Sequence, residues 1–391
     1  MSEWKESIFD NIALINPAES LGKGNPAKKV SMEALQPFTK KVLRYSIEPY
    51  NGGMKFRNGD TIVARITPCL ENGKTAYIDI LDDNEVGFGS TEYIVIRERE
   101  GISDKQFLYY FSISQEFRNV AIFSMTGSSG RQRVRTDVVR EHTFLLPPLA
   151  EQRAIASVLS SLDDKIDLLH RQNKTLEGMA EALFRKMFVG QADPGWNKGK
   201  LQDYGQIICG KTPSKKVAEY FGGHMPFIKI PDMHGNVFIL ETEDSLTESG
   251  KKSQQNKTIP AKSICVSCIA TVGLVSMNAV DSQTNQQINT IIPHKESQRY
   301  FLFLLMRNMT DDLFARASGG TATDNLNTGD FSSIEISTPT DNIIHKFDGI
   351  VRDYFEKIYT NQIQIRVLTR LRDTLLPKLM NGEVRINGSN L

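Results

Sequence analysis

The sequence predicts an α+β protein, made of two similar α/β domains joined by two long helices that form an antiparallel coiled coil. Three observations predict it. One plan occurs twice in the 391 residues: Trp4 is matched by Trp196, Gly127 by Gly319, Lys165-Ile166 by Lys357-Ile358, Gln172 by Gln364 and Gly190 by Gly382. Each copy runs from a turn-rich stretch of short apolar runs into one long helical stretch. Both helical stretches carry a heptad seam in the same phase. The spacing of the copies is far too long for a solenoid or propeller repeat. Each copy supplies a globular part of about 150 residues, enough to bury a core without disulfides.

The first copy opens with strand-like runs, Ile62–Ile66, Ala76–Ile80 and Tyr93–Ile96, rich in β-branched side chains and separated by Asn-Gly turns at Asn58-Gly59 and Asn72-Gly73. The spacing of Phe107, Leu108, Phe111 and Phe117 predicts one amphipathic helix from Asp104 to Phe117. Gly127-Ser128-Ser129-Gly130 reads as a flexible loop, and Phe144-Leu145-Leu146 as a last strand closed by Pro147-Pro148. The second copy repeats the order with strands at Ser263–Ile269 and Ile288–Ile292, a helix at Tyr300–Met309, a loop at Ser318–Thr321 and a strand near Ile334–Ile336 before Pro339.

The helical stretches are the clearest signal. Ile155, Leu159, Leu162, Ile166, Leu169, Asn173, Leu176, Ala180, Leu183 and Met187 alternate by four and three, which is a heptad seam. The matching positions of the second copy are Phe347, Val351, Tyr354, Ile358, Asn361, Ile365, Leu368, Arg372, Leu375 and Leu379. Pro377 should kink or end that helix near its last turn. Two matched seams in one chain most simply pair with each other, antiparallel. End-to-end pairing sets Asn173 opposite Asn361, where each amide satisfies the other and fixes the register; the alternative is that one of them sits at a wet edge.

Composition excludes some classes. Hydrophobic residues make 40% and charged residues 24% of the chain, with a net charge of +1, so any nucleic-acid contact must rest on local patches. The longest apolar run, Tyr300–Met306, is too short to span a bilayer, and the first residues lack the basic and apolar parts of a signal peptide. The expectation is a cytoplasmic protein with reduced thiols. Cys265-Val266-Ser267-Cys268 is a CxxC inside a strand-like run, with no second ligand pair, so neither a metal nor a redox role is expected.

Gly205–Thr212 matches the P-loop pattern by letter. However, no buried strand precedes it and Pro213 is a poor helix start, so a strand end with a Gly-Lys-Thr-Pro turn is the better reading. A nucleoside triphosphatase using Lys211 and Thr212 stays as the enzymatic alternative. The Pro147-Pro148 run lacks the flanking residues of a DNA methyltransferase motif, so the chain is not read as the methylating enzyme. Both copies carry basic and amide-rich patches. The first offers Lys40, Arg44, Arg131 and Arg133. The second offers Lys211, Lys215, Lys251, Lys252 and Gln286, with Thr321, Thr323 and Asn325 in its loop. Lys and Arg anchor phosphates, whereas Arg, Asn and Gln read guanine and adenine edges bidentately. The loops Gly127–Arg135 and Gly319–Asn325 are the preferred candidates, because glycine permits close backbone approach.

The run Pro147-Pro148-Leu149-Ala150-Glu151-Gln152-Arg153, followed by Leu162–Asp167 and Leu183–Phe188, resembles the central region of type I restriction–modification specificity subunits. Ala64–Thr75 and Gly89–Glu92 resemble segments of their first target-recognition domain, and Gly210–Ser214 a frequent opening of the second, which accounts for the P-loop match. The second copy departs from the pattern at Thr338–Ile343. The resemblance implies target-recognition domains at 1–148 and 191–340 and helical spacers at 149–190 and 341–391. It further implies that each domain reads one half of a split site in double-stranded DNA. The helices, on the order of 50 Å long, act as spacer and dock two modification subunits. Those partners, not this chain, carry S-adenosylmethionine, and ATP-dependent restriction subunits join in some systems. A coiled-coil scaffold without DNA contact is the remaining alternative.

Overall fold

Beneath the duplicated sequence lies a duplicated strand pairing. Lys5–Ile8 pairs antiparallel with Thr143–Leu146, Lys5 facing Leu146. Asn197–Lys200 pairs antiparallel with Glu335–Thr338, Asn197 facing Thr338. The registers correspond residue for residue between the copies. These pairs close each globular part just before its long helix. The computed structural model describes residues 3–318 and 325–386.

The chain forms two compact units, residues 1–166 with 367–391, and residues 167–366. The division cuts each long helix in two, and each part packs on the core of its own unit. The first unit holds a four-stranded sheet in the order Ala13–Ile15, Tyr93–Glu98, Thr61–Ala64, Thr75–Tyr77, antiparallel throughout. Its strands are buried on both faces: Val63, Ile94 and Ile96 share a core with Phe107 and Phe111, whereas Ile62, Tyr93 and Val95 face Val30 and Phe56. Alternation with period two is what a pleated strand between two layers requires. The second unit repeats the plan with Gly205–Cys209, Ile288–Pro293, Ile264–Ser267, Val275–Asn278 and Phe238–Ile239.

The helix expected over Asp104–Phe117 is two helices, Lys105–Ile113 and Gln115–Phe123. Ser114 breaks them in an extended conformation and caps the second, accepting a hydrogen bond from the Phe117 N–H (3.3 Å). A serine that offers the backbone an alternative partner explains the break.

The central helix runs over Leu149–Phe184 and continues as π-helix over Arg185–Gly190; the C-terminal helix runs over Asp341–Met380, with Pro377 in its last turn. Within the first unit Ile155, Leu159, Leu375 and Leu379 share one apolar cluster. Within the second, Ala180 and Leu176 pack with Phe347, Val351 and Ile358. Asn173 meets Asn361 while Phe184 meets Phe347, so the pairing there is antiparallel. The burial pattern is wider than the heptad seam. Asp163, Phe184, Phe188 and Phe355 lie one residue beyond seam positions and are buried. Each helix packs on a globular core as well as on its partner, and a two-sided helix needs a broader apolar stripe.

Candidate nucleic-acid interface

The loop after Phe123 is a small hairpin. Thr126 and Arg133 exchange both backbone hydrogen bonds (3.0 and 2.9 Å), and residues 127–131 form the exposed tip. Gly127 (φ +128°) and Gly130 (φ +76°) hold conformations that other residues rarely adopt. A Cβ at Gly130 would meet nothing within 4 Å, so its glycine serves the turn rather than packing. Arg131 is exposed at the tip, and its guanidinium has no partner among the described residues. Arg133 is exposed as well but is gripped by Glu92: its Nε donates to both carboxylate oxygens (3.0 Å each) and its Nη2 to Oε1 (2.7 Å). Arg44 is exposed and donates to the Glu33 carbonyl (2.9 Å).

Lys40 is not at this surface. It is 6% exposed, donates to Gln106 Oε1 (2.9 Å) and Ser160 Oγ (2.8 Å), and lies 5.1 Å from the centre of the Tyr110 ring. Burial lowers its pKa below the usual lysine value. A phosphate cannot reach it, so it is withdrawn as a DNA contact. The sequence around Lys40 gives no sign of this, because the aromatic residues that surround it, Tyr77, Tyr109 and Tyr110, come from a distant strand and helix.

In the second unit Lys211, Lys215 and Lys252 are exposed and unpaired among the described residues, and Lys251 lies 4.0 Å from Glu248. The amide run from Gln283 to Gln287 divides by burial. Gln286 is exposed, and its Oε1 accepts from Thr212 Oγ1 (2.6 Å). Gln283 is fully buried, donating to the Lys251 carbonyl (3.1 Å) and to Thr258 (2.9 Å), so it belongs to the scaffold. Asn325 is exposed; Thr321 and Thr323 lie outside the described residues. The Gly205–Thr212 segment is a strand, Gly205–Cys209, that runs into a turn and opens no helix. Gly210 packs so closely that a Cβ would fall 2.1 Å from the Asn285 carbonyl oxygen. That glycine serves chain packing, and a P-loop needs the helix that is missing here.

Asn173 and Asn361 share one buried layer: Asn361 Nδ2 donates to Asn173 Oδ1 (2.8 Å). A second polar layer, in the first unit, joins the two helices through Arg372 Nη1 and Asp163 Oδ1 (2.8 Å). Tyr110 donates to the other Asp163 oxygen (2.6 Å). Spacing alone places Arg372 in the seam, whereas its partner Asp163 lies outside the heptad pattern. In the first turn of the central helix Glu151 holds Arg385 and accepts from Trp4 Nε1 (3.1 Å), which ties the beginning and end of the described chain together. Cys265 and Cys268 are buried, and burial pushes their thiols up to about 12 and about 11, away from reactivity. Among the described residues no helix is long and apolar enough to cross a membrane.

The family model described as the type I restriction modification DNA specificity domain matches twice, over residues 1–178 and 194–369. The chain belongs to that family. It is 36% identical to the HindI specificity subunit of Haemophilus influenzae, over 98% of this chain and 100% of that one. It is 26% identical to the MjaIX specificity subunit of Methanocaldococcus jannaschii, over 72% and 69%. Its fold is similar to the type I restriction–modification S subunit from M. genitalium (TM-score 0.61, 16% identity, 96% of each chain).

Proposed function

We propose that this specificity-family chain is the DNA-reading subunit of a type I restriction–modification assembly, and that it is not itself catalytic. Each globular domain reads one half of a split site in double-stranded DNA. The observation that carries this reading is the double match of the family model, coincident with a strand pairing repeated in the same register. Because the two domains differ in the side chains they expose, the two half-sites differ. Two modification subunits dock on the paired helices and bring S-adenosylmethionine for adenine methylation; ATP-dependent restriction subunits join where cleavage accompanies it. The expected compartment is the cytoplasm, where the chromosome is. The P-loop alternative lacks its helix, and a scaffold role leaves the exposed, unpaired Arg131, Lys211, Lys215 and Lys252 without use.

The test is genome-wide adenine methylation in cells with and without the gene. A split, asymmetric motif that disappears on deletion is the expected result. An unchanged methylome together with no salt-dependent duplex binding by the purified assembly overturns the proposal.

A further inference from the structure

Arg133 and Asn325 occupy one structural position in the two copies. Each forms a lone antiparallel bridge with the isoleucine two residues beyond the central strand of its sheet, Arg133 with Ile66 and Asn325 with Ile269. Each closes the loop before it, the Arg133 N–H donating to the Thr126 carbonyl (2.9 Å) and the Asn325 N–H to the Ala317 carbonyl (3.1 Å). Each is exposed and followed by a buried residue, Val134 or Leu326, whose N–H donates to the Arg65 or Cys268 carbonyl (2.9 Å in both). A short helix follows each, Thr136–Glu141 and Thr328–Ser332.

The neighbouring position is matched too. The Arg65 N–H donates to the Glu92 carbonyl (2.9 Å) and the Cys268 N–H to the Gln287 carbonyl (2.8 Å), so Glu92 corresponds to Gln287. One two-residue position therefore holds an acid–arginine pair in the first domain and a neutral amide pair in the second. Both residues differ between the copies, charged in the first and uncharged in the second, on matching backbone hydrogen bonds.

We infer that this position reads a base in each domain: Arg133, held by Glu92, takes a guanine, and Asn325 takes an adenine. Glu92 binds Arg133 along its Nε–Nη2 side, and Nη1 makes only a long hydrogen bond to the Arg131 carbonyl (3.5 Å), which leaves the exposed Nη1–Nη2 end to act as a fork. That fork matches the paired acceptors O6 and N7 of guanine. Glu92 also cancels the arginine charge, which weakens Arg133 as a general phosphate anchor while keeping its directed donors; unpaired Arg131 beside it is the better anchor. Asn325 has no fixed side-chain partner among the described residues, and its amide matches the donor and acceptor of adenine N6 and N7. Glu92 is a positioning residue, and Gln287, held by a hydrogen bond from Asn285 (2.9 Å), has the corresponding place.

The inference rests on the DNA-recognition reading, and the experiment separates the two. The full chain is expressed with its modification subunits in a host lacking them, and the methylated motif is read by sequencing. A wild-type chain that directs no sequence-specific methylation sinks the reading itself. With the wild-type motif established, Arg133→Ala should relax one guanine in one half-site, lowering discrimination there by about 5- to 150-fold. Asn325→Ala should relax one adenine in the other half. Glu92→Gln should relax the same guanine as Arg133→Ala, with the rest of the motif intact, which a merely structural role would not do. An unaltered motif, relaxation in both halves together, or loss of methylation at every site with the complex still assembled overturns the assignment.

Discussion

The two polar layers between the long helices solve one problem in different ways. In the second unit, one hydrogen bond joins the Asn361 and Asn173 amides, one from each helix, and the further acceptor of Asn361 Nδ2, Gln172 Oε1 (3.4 Å), is also on the helices. In the first unit, Asp163 and Arg372 form a charged layer that depends on its domain: Tyr110 donates to Asp163, Arg372 also holds Asp373, and Lys40 with Ser160 lies alongside. A neutral pair can be buried with little help. A buried ion pair stands only if its remaining lone pairs and protons are met, because desolvation of each charge is otherwise uncompensated. The difference teaches that the amide layer is a device of the helices alone, whereas the charged layer couples the helices to the domain packed on them.

Removing one charge should break the comparison most sharply. Asp163→Ala leaves Arg372 buried without its carboxylate and should cost about 3–5 kcal/mol in denaturant unfolding. A loss within the range of a surface substitution would mean that the layer is wetter than its burial implies. Asn361→Leu should cost less, about 1–3 kcal/mol, because it strands the Asn173 amide in an apolar layer.

The double variant Asn173→Leu with Asn361→Leu should recover that loss, since it removes both amides, including an Asn361 Oδ1 that has no partner among the described residues. Its effect should appear in register instead. Cysteine pairs placed one turn either side of the layer should crosslink in more than one combination, where the wild-type layer permits one. A single crosslinking pattern in the double variant would show that the flanking apolar contacts set the register without the amides.

The smallest effect concerns pH. Burial lowers the Lys40 pKa, so between its folded value and the ordinary 10.5 the unfolded chain holds a proton that the folded chain lacks. Stability owed to this residue therefore rises as pH climbs toward 10.5 and is smallest where both states are protonated. Lys40→Met should remove that rise. Parallel pH profiles for wild type and variant would place Lys40 in contact with water.

The sequence by itself determined the duplication, the two long helices and the glycine-bearing loop of the first domain, and it offered the opposition of Asn173 and Asn361 as one of two readings. Each of these is written locally or periodically: heptads repeat every seven residues, glycine marks positive φ within a few residues, and a repeated plan is seen by comparing the chain with itself. The sequence could not reveal which cations are free. Lys40 and Arg131 are both basic residues, yet one lies under Tyr110 and the other at a hairpin tip. Nor did it pair Arg133 with Glu92, 41 residues away, or Arg372 with Asp163, 209 away. Such partners are chosen when sheets and helices close over one another, and short-range ionic and hydrogen-bonding contacts exist only once distant parts of the chain have been brought within a few ångströms. Periodicity specified the elements; tertiary packing decided which polar groups were consumed as structure and which were left at the surface.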